Sequence, residues 1–207
     1  MPSPKCPEYS MPVTLGEKVV DFSFDAFNPE TGRFEVRSIN EYLFKGKWVV
    51  LFFYPGDFTF VCPTELADLA EQRKKLEELG VELLTVSTDS KFAHLTWHKS
   101  EKLLENVKYL MASDNSGCIS RYFGVYDRES GAARRGTFII NPDFVLVSQE
   151  VILDSVGRNA EELVRKLEAL AYTRDNPAEV CPAKWNKGQK TIKPSEKHVG
   201  DIFGIFH

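Results

Sequence analysis

With 207 residues, the chain is long enough to bury one sizeable core and still carry extensions. Its 26 basic and 30 acidic side chains leave a net charge of −4, with no basic stripe to suit nucleic acid and no acidic block of the kind that stays disordered. The start, Met1-Pro2-Ser3-Pro4-Lys5, lacks the apolar stretch of a secretory signal, and the longest apolar run, Trp48 to Tyr54, is far too short to cross a bilayer; the expected setting is cytoplasmic, with no membrane attachment.

The first 45 residues read as an extension rather than as core. Val19 to Phe24 alternates enough for a strand, Asn28-Pro29-Glu30-Thr31-Gly32 is a turn, and Phe34 to Ile39 can pair back as a hairpin. Trp48 to Tyr54 is apolar on both faces, which marks a central strand. A helix follows from about Pro63 to Leu79, with Leu66, Leu69, Ala70, Leu76 and Leu79 recurring at three- and four-residue steps and Gly80 placed to end it. Val81 to Ser87 is the next strand, and Ser90 to about Glu105 the next helix, with Phe92, Ala93 and Trp97 on one side. A short helix is expected near Ser116 to Phe123. Gly136 to Ile140 and Phe144 to Val151 form two strands around the tight turn Asn141-Pro142-Asp143. Asn159, with Glu162 three residues on, opens a last helix whose apolar stripe is Leu163, Val164, Leu167, Leu170 and Ala171.

From Trp48 the order is strand, helix, strand, helix, strand, strand, helix, with one parallel crossover and a closing antiparallel hairpin. That order matches an α/β, thioredoxin-like fold with an N-terminal β-hairpin extension. Residues 173–207, punctuated by Pro177, Pro182, Gly188, Pro194 and Gly200, read as a C-terminal arm after a domain of residues 1–172.

Four cysteines occur, at 6, 62, 118 and 181, and none is part of a C-x-x-C pair. That absence argues against a zinc knuckle and against a dithiol reductase with both thiols on one turn. Cys62 and Cys181 share the setting Val-Cys-Pro. Cys62 lies where a strand-to-loop segment opens a helix, with Pro63 and Glu65 suiting the first turn. The thiolate is the reactive form, and a helix start favours negative charge. Either Thr59 or Cys62 could be the formal cap. The alternative is a buried, inert thiol. His94 and His98, four apart on a helix, could share a metal; without a third ligand nearby they read as surface or packing histidines. Cys6 and Cys118 read as bystanders, although Cys6 could form adventitious disulfides.

The segment from Phe53 through Tyr54-Pro55-Gly56-Asp57-Phe58-Thr59-Phe60-Val61-Cys62-Pro63-Thr64 to Glu65 closely resembles the active-site loop of typical two-cysteine peroxiredoxins, in particular the branch of the bacterial alkyl hydroperoxide reductase C proteins. The likeness extends to Ser87-Thr88-Asp89-Ser90 with Trp97, to Arg135-Gly136-Thr137-Phe138, and to Glu179-Val180-Cys181-Pro182-Ala183-Lys184-Trp185. The resemblance implies a thiol peroxidase acting on hydrogen peroxide and small organic hydroperoxides, with no metal, haem or flavin of its own. It implies that Cys62 is the peroxidatic cysteine and that Thr59 and Arg135 bind the peroxide. Pro55 would close the pocket, and Glu65 would orient arginines behind it, Arg158 among them. Cys181 would be the resolving cysteine, bridging head to tail to a second subunit in a homodimer, and often in a ring of dimers such as a decamer. A disulfide reductant, thioredoxin or a dedicated flavoprotein, would recycle it. Residue spacing alone leaves open whether the bridge lies within or between chains.

Arg135 is preferred to Arg134 because the family motif sets arginine directly before Gly-Thr-Phe. Between Trp97 and Tyr109 there is no Gly-Gly-Leu-Gly insertion, and the end, Asp201 to His207, has no Tyr-Phe pair. Eukaryotic members of the family that are sensitive to overoxidation carry both features, so the resemblance implies fast resolution and relative resistance to sulfinic acid formation here. Two rivals remain open: a peroxide sensor or holdase chaperone using the same thiols, and a non-catalytic scaffold.

Overall fold

The computed structural model of the protein describes residues 4–206. Met1, Pro2 and Ser3, which enter the reading of the start, and His207, which enters that of the end, lie outside the described residues.

The structure is built on a seven-stranded sheet in the order β2-β1-β5-β4-β3-β6-β7. Among its interior strands is β3 (Trp48–Phe53), whose six side chains are all buried. It pairs in parallel with β4 (Val81–Ser87) and antiparallel with β6 (Arg135–Ile140). The two-faced apolar run therefore does mark a strand inside the sheet, paired on both sides. A helix, α2 (Cys62–Glu78), makes the crossover from β3 to β4, burying Leu66, Leu69 and Leu76, and Gly80 stops it in a left-handed conformation with φ 71°. The last hairpin forms between β6 and β7 (Leu146–Ile152). Its second strand begins later than Phe144 because Phe144 itself has φ 69°, outside the strand region; the Asn141 side chain holds the turn by accepting from the N–H groups of Asp143 and Val145.

The N-terminal part departs from expectation. Its hairpin, β1 (Ser23–Asn28) with β2 (Arg33–Ser38), forms around the expected turn, where Asn28 Oδ1 accepts from the N–H groups of Glu30 and Thr31. But the hairpin is part of the main sheet, because β1 pairs with β5 (Leu110–Ser113), Ala26 facing Ala112. Phe22, Phe24, Ala26, Ile39 and Leu43 share one apolar cluster with Phe53, Val86, Phe123 and Phe138. Burial of each large side chain stabilises by about 1.5–3 kcal/mol, so this region is core and not an appendage. The strand starts after, rather than at, Val19, and the one-turn helix α1 (Asn40–Leu43) and β5 had no counterpart in the sequence pattern.

The helix α3 (Lys91–Ser100) begins at Ser90, whose side chain accepts from the Ala93 N–H. It stops short of Glu105 because Glu101 turns extended and its carboxylate caps a separate 3-10 turn, Lys102–Leu104. The short helix α4 (Cys118–Tyr122) lies within the expected span.

The chain divides into two compact units, the second beginning at Glu161. Most of α5 (Ala160–Asp175) belongs to the second unit, and the arm folds along it. Arg165 grips Glu162 with Nε and Nη2 and donates from Nη1 to the Trp185 carbonyl at 2.9 Å. The Tyr172 and Trp185 rings lie 5.2 Å apart. Val180 and Ile192 exchange two backbone hydrogen bonds, and Glu179 accepts from Tyr172 and Thr191. A 3-10 turn, Glu196–His198, and the single turn α6 (Phe203–Phe206) follow.

Candidate active site

The site is assembled where β3 runs out. The Tyr54 N–H still bonds the Val86 carbonyl at 3.0 Å, and the chain then turns through Pro55 to Val61. The turn is pinned from below. Asp89 accepts from the Asp57 N–H and from the Ser87 hydroxyl, each at 2.8 Å. Gly56 leaves room for this approach: a Cβ there would lie 3.3 Å from the Asp89 carboxylate, a tight contact that the carboxylate would have to relieve by a small shift. The Asp57 side chain points inward, accepting from the Tyr54 hydroxyl at 2.8 Å and facing His94 Nδ1 at 2.8 Å. His94 is fully buried, and its Nε2 lies 3.2 Å from the Ala112 carbonyl, an acceptor only, so Nε2 carries a hydrogen. Burial pushes the Asp57 carboxyl up, with His94 opposing, and burial beside Asp57 pushes the Tyr54 phenol well up. His94 and His98 are thus packing residues: His98 bonds the Val107 carbonyl at 3.1 Å.

Cys62 is the first residue of α2 and has no exposed surface. Neither Thr59 nor Cys62 is the cap; Val61 takes that position with helical φ and ψ and no side-chain bond. Pro63 loses no bond there, because the first-turn N–H groups have no partner within the helix. Thr59, one turn earlier and half-buried, donates its hydroxyl hydrogen to the Gly56 carbonyl at 2.8 Å. That leaves its oxygen free to accept. Pro55 stands on the same loop, partly exposed.

Behind the sulfur is a cluster of buried charge. Arg135, at the start of β6, donates from Nη1 to Cys62 Sγ at 3.3 Å and, with the second hydrogen of the same nitrogen, to Glu65 Oε2 at 2.5 Å. Its Nε donates to the Asp154 carbonyl at 2.9 Å, which fixes the plane of the guanidinium. Glu65 also accepts from Arg158 three times: from the backbone N–H and Nε at 2.9 Å, and from Nη2 at 3.1 Å. Arg158 Nη1 reaches the Gly136 carbonyl and the Thr137 hydroxyl, and its guanidinium lies 3.3 Å from the centre of the Phe52 ring. The Glu65 carboxylate, 1% exposed, thus receives four donors, its full capacity. Burial works against the charge of both arginines. Around Arg135, Cys62 and Glu65 outweigh burial and hold its guanidinium above the ordinary value; at Arg158 burial wins and lowers it. With a thiolate at Cys62, two cations face two anions and the buried cluster is neutral. By contrast Arg134 is exposed and faces Asp127 at 3.6 Å.

Cys62, Glu65, Arg135 and Arg158 are therefore brought into one bonded cluster, with Thr59 and Pro55 on the loop that leads into it. Known proteins are similar to this chain in sequence and in fold. Residues 15–149 match the AhpC/TSA family, and residues 169–204 match the C-terminal domain of 1-Cys peroxiredoxin. The chain belongs to the AhpC/TSA family. It is a peroxiredoxin, an oxidoreductase that acts as a thiol peroxidase. Alkyl hydroperoxide reductase C of Bacillus subtilis is 50% identical over 188 residues, covering 91% of this chain and 98% of the relative. The protein of that name from Amphibacillus xylanus is 46% identical with the same coverage. Among solved structures, the reduced 2-Cys peroxiredoxin of Plasmodium vivax matches with TM-score 0.84 at 32% identity, covering 90% of this chain and 96% of that one. AhpC of Enterococcus faecalis matches with TM-score 0.77 at 42% identity, covering 81% and 98%.

In this peroxiredoxin the second Val-Cys-Pro cysteine lies in the second unit. Cys181 is partly exposed, its sulfur 3.9 Å from the Ala169 carbonyl, and burial pushes its thiol up, with Arg165 opposing. Cys6 and Cys118, set aside as bystanders on sequence, are bonded to each other as a disulfide. Asp154, which positions Arg135, carried no signal in the sequence, and Asp89, which positions the loop, stood inside a motif of the family likeness that did not show what it would hold. Asp57 stood inside the active-site motif, and its spacing from His94 gave no sign that the two would meet.

Proposed function

We propose that this peroxiredoxin reduces hydrogen peroxide and small organic hydroperoxides at Cys62; the name of its alkyl hydroperoxide reductase relatives supports the organic hydroperoxides. The Cys62 thiolate attacks the terminal oxygen of the hydroperoxide. The O–O bond breaks, the departing oxygen takes a proton and leaves as water or an alcohol, and Cys62 becomes a sulfenic acid. Arg135 holds the thiolate and meets the charge moving onto the leaving oxygen. Thr59, its own hydrogen committed to Gly56, accepts the hydrogen of the hydroperoxide, which orients the far oxygen away from the sulfur. Pro55 shields one side, and Glu65 and Arg158 keep Arg135 aimed.

Cys181 of a partner subunit then attacks Cys62 Sγ, expelling water and forming a disulfide between chains. An external dithiol, thioredoxin or a dedicated flavoprotein, returns both thiols, with no cofactor held by the chain itself. The head-to-tail homodimer, and a ring of such dimers such as a decamer, is supported by the edge strand β7, which has only one neighbour in the sheet and is followed by exposed Leu153 and Val156. The cytoplasm is the setting that suits a catalytic, transient disulfide.

One observation carries the reading: the hydrogen bond from Arg135 Nη1 to the buried Cys62 sulfur, made from a guanidinium locked by Glu65 and Asp154. The test is a non-reducing gel with peptide mapping after one equivalent of hydrogen peroxide. A dimer-sized band carrying a Cys62–Cys181 link is expected. Both thiols intact under excess peroxide would overturn the reading.

A further inference from the structure

Cys6 and Cys118 take no part in the cluster at Cys62, yet the fold puts them side by side. Their Cα atoms are 5.8 Å apart across 112 residues of sequence, within the span that a disulfide bridges without moving the backbone. The approach does not depend on the bond. The Lys5 N–H donates to the Ser23 hydroxyl and the Lys5 carbonyl accepts from the Ser23 N–H, at 2.6 and 3.0 Å. Beyond them the Tyr9 ring packs on Tyr122 at 5.0 Å, and the N–H groups of Val13 and Val20 bond the Tyr122 carbonyl and hydroxyl. Tyr122 belongs to the helix that Cys118 opens, so the segment carrying Cys6 is held to Ser23 of β1 just before Cys6 and to Tyr122 of α4 beyond it.

Accessibility also separates this pair from Cys62. Cys6 is exposed and Cys118 partly so, beside exposed Asn115 and Ser116, whereas Cys62 has no surface at all. Small oxidants and a dithiol protein can therefore reach the sulfurs of the pair where they stand.

We propose that Cys6 and Cys118 are a second dithiol–disulfide couple of this chain, oxidised by hydroperoxide and reopened by a dithiol, that latches the N-terminal segment to the start of α4. In the oxidation, the more exposed thiol, Cys6, attacks the hydroperoxide and becomes a sulfenic acid while an alcohol or water leaves. Cys118 then attacks that sulfur and expels water. Two thiols together give up two electrons and two hydrogens, and one O–O bond is reduced. The step needs neither Cys62 nor Cys181. Because the bond closes a long loop in the unfolded chain, its main effect is on the stability of the folded state.

The experiment uses the full-length chain with Cys62→Ser and Cys181→Ser combined, fully reduced and then exposed to excess hydrogen peroxide. Loss of two hydrogen masses is expected, with a tryptic link between residues 6–18 and 109–121, a monomeric band on a non-reducing gel, and reversal by dithiothreitol. Oxidised protein should melt higher than reduced protein by on the order of 10 °C, a shift absent once Cys6→Ser is added. Differential alkylation of the wild-type protein during turnover provides a second readout without those substitutions, with Cys6 and Cys118 expected to become protected together. The proposal is overturned if both thiols stay alkylatable under excess peroxide, if Cys6 links chains rather than Cys118 of its own, or if the melting temperature is the same in both states. Failure of the Cys62 peroxidase reading would leave these outcomes unchanged.

Discussion

Replacing Glu65 by glutamine exchanges one carboxylate oxygen for an amide nitrogen and removes one negative charge, with almost no change of shape. In the native site the two oxygens accept four hydrogen bonds from Arg135 and Arg158 at 2.5–3.1 Å. Whichever way the amide is turned, its NH2 meets guanidinium or backbone N–H groups, donor against donor. The two buried guanidiniums then face one anion at most. Breaking a buried ion pair by removing one partner costs about 3–5 kcal/mol, and these side chains are 1–4% exposed, so solvent screens little of it. For a chain of this size about 2–4 °C of melting temperature follows each kcal/mol, which gives a fall of roughly 6–20 °C. Arg135 keeps its bond to the Asp154 carbonyl but loses the anchor that aims Nη1 between Glu65 and the sulfur. Removing a well-placed donor outright costs about 10²–10³ in rate, and a mis-aimed one should cost about ten- to a hundredfold. Thermal unfolding of the reduced protein and stopped-flow reaction of Cys62 with hydrogen peroxide measure the two effects. A Glu65→Gln protein that melts within about 2 °C of the wild type and reacts at its rate would refute the account of the cluster.

Arg135→Met should lower the rate of the peroxide reaction by about 10²–10³, whereas Arg134→Met, on an exposed side chain, should leave it near wild type; the same stopped-flow assay compares them. Because burial raises the Cys181 thiol above its ordinary value and only the thiolate attacks, disulfide formation should speed up about tenfold per pH unit across the neutral range, and intact mass should show more sulfinic acid at low pH than at high. Burial lowers His98 in the folded state, with the Val107 carbonyl opposing, so the unfolded chain binds more protons between that lowered value and roughly 6.5, and stability should rise with pH across this window. Melting curves of His98→Gln should show a shallower pH slope there; an unchanged slope would remove His98 from the explanation. Asp57→Asn should slow the peroxide reaction and destabilise the chain together, because the turn that carries Thr59 hangs on Asp57; a wild-type rate in a folded variant would show that the turn is held by Asp89 alone.

Strands and helices with strong local patterns were legible in the sequence: β3 from its two-faced apolar run, β4 over its full length, and α2 from its leucine spacing and Gly80. What escaped has a common cause. Leu110 to Ser113 is only four residues long, too short for a period to show, and is made a strand by neighbours on both sides. The N-terminal hairpin is polar at its turn and modest in pattern, and only its pairing with β5 reveals it as core. At the site, Cys62, Arg135 and Glu65 could be named from motif residues, since each stands in a distinctive local string. Asp57 with His94, Asp154 with Arg135, and Cys6 with Cys118 are pairs defined by distance in space alone, and a single sequence carries no record of that.

The burial of Cys62 sets a clock. On the proposed mechanism, a sulfur with no exposed surface cannot bond to a sulfur of another chain where it stands, so the first turn of α2 would have to open before resolution. That turn is held by the Val61 carbonyl, which accepts from the Thr64 N–H at 3.1 Å, the Glu65 N–H at 3.3 Å and the Thr64 hydroxyl at 2.6 Å. While it stays closed, a sulfenic acid formed at Cys62 is kept from any partner thiol and, on that mechanism, can meet a second peroxide molecule. The lifetime of three hydrogen bonds to one carbonyl therefore divides the enzyme between turnover and self-inactivation. Thr64→Val, which removes one of the three without touching the sulfur, is a way to shift that division.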